Sequence, residues 1–189
     1  NQQLSDTFTS GVCALGAVAK YEARPFDKDG QGYIIGEGGV MMLVKRLENA
    51  KRDGDEIFGV IHAIGGSSEA DSKSMVAPTE KAMERAIRNA FKLTDITPEQ
   101  VGVVDTHGSA NKLSDIIEAS SLAKVLRSKK EHDPVYITAI KSHIGHIYGG
   151  SGAASALSTL LALKHHTVPG IRRLETVRPE VDFYKDRVI

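Results

Sequence analysis

The sequence has a single cysteine, no excess of charge of either sign and no long apolar run, and each lack closes off a class of protein. Cys13 has no partner for an internal disulfide, so a reducing, cytoplasmic setting is expected. Lys plus Arg number 24 and Asp plus Glu number 24, a formal net charge of zero that leaves no basic footprint for nucleic acid or an anionic membrane. The longest apolar stretches, Val40 to Val44 and the run Ala153 to Leu163, fall short of the roughly 20 residues that cross a bilayer. No basic segment followed by an apolar core opens the chain, so no secretory signal is read. An opening Asn1 in place of Met suggests a piece excised from something longer. Internal repeats, low-complexity tracts and linkers are absent from the sequence.

What remains is an ordinary globular composition. Of 189 residues, 41% are hydrophobic and 25% charged, which excludes disorder, collagen and coiled coil and suffices to bury a core. Leu4 to Tyr21 carries weak helical periodicity, diluted by Gly11 and Gly16. A glycine-rich turn region from Arg24 to Gly39 leads into Val40 to Val44, read as a buried strand, and Ile57 to Ile64 reads as a second. Leu47 to Arg52 reads as a short helix or turn, stopped by Asp53-Gly54. Thr79 to Leu93 is the clearest amphipathic helix: Ala82, Met83, Ala86, Ile87, Ala90 and Phe91 share one face, with Lys81, Glu84, Arg85 and Arg88 opposite. Thr79 and Glu80 suit its start. Val101 to Thr106 and Val135 to Ala139 read as strands, Asp115 to Leu126 and Gly152 to His165 as helices. The alternation predicts an α/β layered sheet. The small residues around the last helix predict that it packs on several faces in an interior layer, and Arg127 to Asp133 reads as a solvated loop.

Two strand ends carry clustered polar groups. Asp105-Thr106-His107-Gly108-Ser109 follows one strand and Lys141-Ser142-His143-Ile144-Gly145-His146 the other. Ligands in open sheets bind at the carboxyl ends of strands, so His107 and His146 are candidates to face one pocket. An ammonium beside a buried imidazole disfavours imidazolium and keeps the ring neutral, able to donate to a developing oxyanion; Lys141 is placed to do this. Packing of one histidine in the core, with Lys141 reaching solvent, is an even alternative. A metal reading of His143 and His146 with Asp105 or Asp115 is a minor one, since HxxH in a loop is far weaker than HExxH on a helix. Cys13, flanked by Val12, Ala14 and Leu15, reads as an inert buried thiol rather than a nucleophile. The glycines at 36, 38 and 39 read as a turn more than as a phosphate cradle, and Gly149-Gly150-Ser151-Gly152 fits close packing as well as an anion site.

Three motifs, in order, resemble the β-ketoacyl synthases, the condensing enzymes of fatty acid and polyketide assembly. Arg24-Pro25-Phe26-Asp27 with Gly32 and Gly36-Glu37-Gly38 resembles the family's RPFD…G…GEG segment. His107-Gly108-Ser109-Ala110-Asn111 with Asp115 and Glu118 resembles HGTGT…GD…E. Lys141 to His146 with Gly149 and Gly152 resembles KSxxGH…G. The resemblance implies a thiolase-like α-β-α-β-α layered fold with a mixed sheet, here incomplete, and a Cys-His-His mechanism. His107 and His146 would then hydrogen-bond the thioester oxygen of a malonyl-type extender and stabilise its enolate. Lys141 would orient the network with Glu118 as its ion-pair partner and Asp115 in support, while Ser109 and Asn111 would meet the phosphopantetheine arm of an acyl carrier protein. No other cofactor and no metal is implied; the implied partners are the carrier protein, the remainder of the ketosynthase domain and a second copy in a homodimer.

The motif departs from the family pattern in reading HGSAN for HGTGT, with Ser114 where Gly is usual. Asn111 thereby exchanges a hydroxyl for an amide. In the family the nucleophilic Cys lies upstream of the RPFD segment in a Ser-rich turn, a context that Cys13 lacks, and the Gly-Phe-Gly-Gly loop is not present before Ile189. Residues 1–189 are therefore expected to be the middle to C-terminal part of a ketosynthase domain, inactive in isolation. The alternatives are a nucleophile-lacking thiolase-fold subunit that supports a partner, or a decarboxylase without condensation.

Overall fold

A computed structural model describes residues 5–69, 77–127 and 133–188. Short polar side chains start several of its helices. Ser5 caps α1 (Asp6–Ala14) by accepting from the Phe8 N–H at 3.3 Å, and Thr79 caps α3 (Glu80–Phe91) by accepting from the Ala82 N–H. Between them, α2 (Leu47–Asp53) stops on Gly54 in the left-handed region. The apolar face of α3 lies where its periodicity puts it: Ala82 is buried and Ile87 and Phe91 pack on the core, while Lys81, Arg85 and Arg88 are exposed.

The strands β1 (Val103–Asp105) and β2 (Tyr136–Thr138) are joined through α4 (Lys112–Leu126) and pair in parallel, Val103 opposite Tyr136, Val104 opposite Ile137 and Asp105 opposite Thr138. The sheet among the described residues is this parallel pair, and antiparallel pairing is confined to the isolated bridge Asp27–Val177. After β2 come the single turn α5 (Lys141–Ile144), the long helix α6 (Ser151–His165) and α7 (Pro179–Asp182), which opens on Pro179. Leu122, Ala123, Val125 and Leu126 of α4 pack with Val135 and Val188, flanked by Ile87 and Phe91 of α3. A second cluster joins Phe26, Ala119 and Val181.

Several expectations are corrected. The helix enclosed by its surroundings is α4, which buries nine residues, whereas α6 buries Ser151 and Ala154 and leaves Leu157, Leu161 and Leu163 exposed. A helix's composition does not contain its cover, and the 57–64 run that reaches α6 leaves these leucines partly open. The apolar runs 40–44 and 57–64 are not strands, because no described segment pairs with them; Met41 and Leu43 are almost fully exposed. The second run still packs. A Cβ on Gly59 would meet Leu160 of α6, and one on Gly65 would meet the backbone of Ala86 and Ala90 in α3. Cys13 is exposed on α1, whose buried residue is its neighbour Val12. Arg127 is buried rather than solvated, its guanidinium donating to the carbonyls of Pro98, Val101 and Leu126 at 2.7–2.9 Å; residues 128–132 of that expected loop lie outside the described residues.

One clasp fixes the Arg24–Asp27 segment to the C-terminal residues. The fully buried Asp27 carboxylate accepts from the N–H groups of Asp29 at 2.9 Å and of Glu175 and Thr176 at 2.8 Å. Arg178 returns a bond to the Asp27 carbonyl at 2.8 Å. Burial pulls the Asp27 pKa upward, but the three backbone donors outweigh it and hold the carboxyl below its ordinary range. Asp27→Ala should therefore destabilise the intact protein by about 3 kcal/mol, read from the urea midpoint, since it strands buried donors. Because the folded pKa is depressed, this contribution is fully present above about pH 4 and disappears as the pH falls through the folded value, so the mutant and wild type should converge in acid.

Candidate active site

Parallel pairing sends the chain out of β1 and β2 at the same edge, and both polar clusters emerge there. The Thr106 N–H and hydroxyl both donate to the Thr138 carbonyl, at 2.8 and 2.7 Å, and extend the pairing by one residue into the first cluster. His107 and His146 then meet, with ring centroids 5.5 Å apart and planes at 79°. Glycine makes the second cluster's path possible. The Ile34 carbonyl accepts from the His146 N–H at 2.7 Å and the His146 carbonyl from the Gly36 N–H at 3.0 Å. A Cβ on Gly36 would collide with the Ile144 carbonyl, and Gly145 stands at φ 74° with Ile34 O 2.9 Å from where its own Cβ would lie. The segment 34–36 is thus a brace for the histidine loop.

Beneath the histidines lie buried ionisable groups. Glu118 of α4 accepts from the N–H groups of His107 at 2.6 Å and Gly108 at 2.9 Å, so its carboxylate holds the loop that carries His107. The contact ion pair expected between Glu118 and Lys141 is replaced by this arrangement. Lys141 is buried at the start of α5, and its attraction to Glu118 and Asp105 acts at longer range. Burial lowers the pKa of Lys141 and raises those of Glu118 and Asp105, and the mutual attractions oppose it. Asp105 accepts from the Ile140 N–H at 3.3 Å and the Ser155 hydroxyl at 3.4 Å, which links β1 to α5 and α6.

Asp115 has a different task. Its carboxyl is fully buried and accepts from the Phe26 N–H at 2.7 Å. Phe26 and Ala110 both stand in the left-handed region, at φ 61° and 57°, where a side chain costs about 1–2 kcal/mol. The Asp115 carboxyl thus steadies the unfavourable backbone position at Phe26 and ties the 24–27 segment to α4. Burial pushes its pKa up to about 7.

Both imidazoles are held neutral. Loss of water around the rings is the larger cause and the Lys141 charge the second, and the pKa of each falls to about 4; His146 is further lowered by His107. His107 nonetheless keeps an exposed edge. At His146 the tautomer is fixed: the Tyr148 N–H donates to Nδ1 at 3.0 Å, so in the neutral ring Nδ1 is bare and Nε2 carries the proton. Tyr148 also stacks on that ring at 4.5 Å, Tyr33 meets it edge-on at 4.8 Å, and the two tyrosine hydroxyls are 2.9 Å apart. The arrangement presents a fixed neutral N–H donor beside a second neutral imidazole, which suits stabilisation of a developing oxyanion.

The other candidates fall as follows. Ser109 is buried, and its hydroxyl accepts from the Asn111 N–H at 3.4 Å. Asn111 caps α4, its Oδ1 accepting from Leu113 and Ser114 N–H, which explains an amide where a hydroxyl was expected. A cleft of about 270 Å³ beside His107 is lined by Glu69, Ala77, Pro78, Met83, Ser114 and Glu118. His143 points away and bonds the Gly170 carbonyl at 2.9 Å, and the described residues hold no group of three or more His, Cys, Asp or Glu placed for a metal ion. Tyr33 and Tyr148 were not singled out in the sequence, and Ser151 was read there only as part of the Gly149-Gly150-Ser151-Gly152 turn, not as a partner of His146.

Residues 58–175 match the family model for the β-ketoacyl synthase C-terminal domain. The chain belongs to the β-ketoacyl synthase family. It is 32% identical over 185 residues to a phenolphthiocerol/phthiocerol polyketide synthase of Mycobacterium tuberculosis, a match covering 97% of this chain and 10% of that protein. It is 35% identical over 150 residues to a polyunsaturated fatty acid synthase of Thraustochytrium sp., covering 78% of this chain and 5% of the relative. Its fold is that of the thiolase-like ketosynthases. The ishigamide ketosynthase/chain length factor superposes with a TM-score of 0.86 and 27% identity over 94% of this chain and 43% of that one. The ketosynthase from module 6 of the bacillaene synthase from Bacillus subtilis 168 superposes with a TM-score of 0.86 and 26% identity over 95% of this chain and 32% of that one. The chain therefore spans about a tenth of the polyketide synthase it matches and under half of these solved ketosynthases. No helix among the described residues is long and apolar enough to cross a membrane.

With folded pKa values near 4, neither His107 nor His146 should titrate between pH 5.5 and 8 in side-chain NMR spectra of the intact protein. The unfolded rings take up protons near pH 6.5 and the folded ones only near 4, so stability should fall with decreasing pH across that window. His107→Asn with His146→Asn should flatten that slope, read from urea midpoints at pH 7 and 5.

Proposed function

We propose that this chain supplies the histidine half of a decarboxylative Claisen condensation site, in which a carrier-bound malonyl-type thioester is the extender. In this reading the extender loses carbon dioxide, and the electrons of the broken C–C bond pass into an enolate whose negative charge gathers on the thioester oxygen. His146, through its Nε2–H, and His107 beside it hydrogen-bond that oxygen, so that charge develops against donors already in place. The enolate carbon then attacks an acyl thioester on a cysteine supplied by another part of the whole protein, and the thiolate leaves. The observation that carries the reading is the meeting of two neutral imidazoles from separate strand ends, one with its tautomer fixed.

The remaining roles are carried over from the resemblance of the motifs. Lys141 keeps the rings neutral and, with Glu118 and Asp115, maintains the two loops. Ser109 and the Nδ2 group of Asn111 meet the pantetheine arm of an acyl carrier protein, the Asn111 Oδ1 being committed to the cap of α4. The whole protein acts in polyketide or fatty acid biosynthesis as a cytoplasmic homodimer, and this chain alone does not condense. Membership of the β-ketoacyl synthase family supports the assignment of chemistry.

In the whole protein, His146→Ala should slow extender decarboxylation by about 10²- to 10³-fold, while acylation of the cysteine, followed by mass spectrometry, stays detectable. Lost acylation with decarboxylation intact would sink this assignment. Failure of the wild type to acylate at all, with decarboxylation retained, would favour a decarboxylase or a supporting subunit.

A further inference from the structure

We infer that Ser151 is a positioning residue for this site, holding the His146 ring from the first turn of α6 through its hydroxyl. The inference rests on the role proposed above for His146. The Ser151 Oγ lies 2.9 Å from His146 Nδ1, the same nitrogen that the Tyr148 N–H approaches at 3.0 Å. A backbone N–H can only donate, so the Nδ1 lone pair is already an acceptor in the neutral ring. The hydroxyl of Ser151 must then also donate to it.

Two donors at one nitrogen have two effects. The first is mechanical. Tyr148 sits in a tight turn at φ 45°, whereas Ser151 is buried at the start of a 15-residue helix, so its bond anchors the imidazole to a rigid element. The ring faces are held separately, Tyr148 stacked on one side and Tyr33 edge-on, and the edge of Tyr148 is in turn supported by Phe8 of α1 at 4.8 Å. Ser151 supplies the remaining constraint, rotation within the plane. The second effect is electronic: donation into Nδ1 withdraws density from the ring and makes the Nε2–H a stronger donor, as hydrogen bonds in a chain polarise one another.

The test uses the whole protein and compares Ser151→Ala with Ser151→Thr, each checked for folding by circular dichroism. Ser151→Ala should lower kcat for extender decarboxylation by about 3- to 10-fold, the range for one lost neutral hydrogen bond, with KM unchanged. Its acid limb should move to higher pH, because the neutral ring has lost a stabilising donor. The titratable groups facing His146 (Lys141, His107, Tyr33 and Tyr148) remain in place in both variants, so the movement reports on the hydroxyl. In ¹⁵N spectra the His146 Nδ1 resonance should shift downfield in Ser151→Ala while Nε2 stays protonated. Ser151→Thr keeps the hydroxyl and should restore kcat, acid limb and resonance.

An unchanged kcat, acid limb and Nδ1 resonance in Ser151→Ala would overturn the inference. So would a folded Ser151→Thr that loses as much as the alanine variant. If Ser151→Ala fails to fold, the threonine variant and the wild-type ¹⁵N spectrum decide, since a wild type with a protonated Nδ1 also overturns it. The spectroscopic arm does not use activity, and it separates failure of this inference from failure of the role assigned to His146.

Discussion

The parallel pairing of β1 with β2 is the constraint from which the site follows. Two strands running the same way end at the same edge, and the loops that leave them carry His107 and Lys141 to His146. An antiparallel pair would have placed the two motifs at opposite ends, however well each was formed locally. The ladder is only three residues long, so its direction is secured from outside: by α4 packed across it, by the bonds of Thr106 to the Thr138 carbonyl, and by the Asp27 clasp that brings the C-terminal residues against Phe26.

Around that edge, carboxyl groups do the work of backbone fasteners. Glu118 holds the His107 loop, Asp115 holds Phe26, and Asp105 holds the start of α5. Each lies away from bulk water, and each pairs with main-chain donors rather than with a contacting cation. Lys141 is the buried positive charge among them, and its field adds to desolvation in keeping the imidazoles uncharged. Removing water thus serves two ends at once, since the same dry setting that makes hydrogen bonds to the loops strong also makes an imidazolium costly.

Much of this was legible in the residues. The face of α3, the Thr79 cap, the two strands and the gathering of His107, Lys141 and His146 at strand ends followed from periodicity and from the rule that ligands sit at the carboxyl edge. What could not be read was anything that depends on a partner remote in the chain. Runs 40–44 and 57–64 carry strand-like sequence without a pairing neighbour, and α6 has the composition of an interior helix yet keeps exposed leucines. Glu118 was expected opposite Lys141 on the strength of the family resemblance; two backbone N–H groups close by hold the carboxylate instead. Asn111 departs from the family's hydroxyl, and that its amide oxygen starts a helix was not read from the motif. Tyr33 and Tyr148, 115 residues apart, share a hydrogen bond that no local pattern announces.

The fixed tautomer of His146 has a calorimetric consequence. A ring that is already neutral, with its one proton on Nε2 and its other nitrogen satisfied from behind, neither takes a proton from the medium nor releases one when an uncharged oxygen arrives to accept that bond. The heat of such an encounter at His146 is then independent of the ionisation enthalpy of the buffer, and the acidity of the surroundings can drift by a unit around neutrality without altering how the donor is presented.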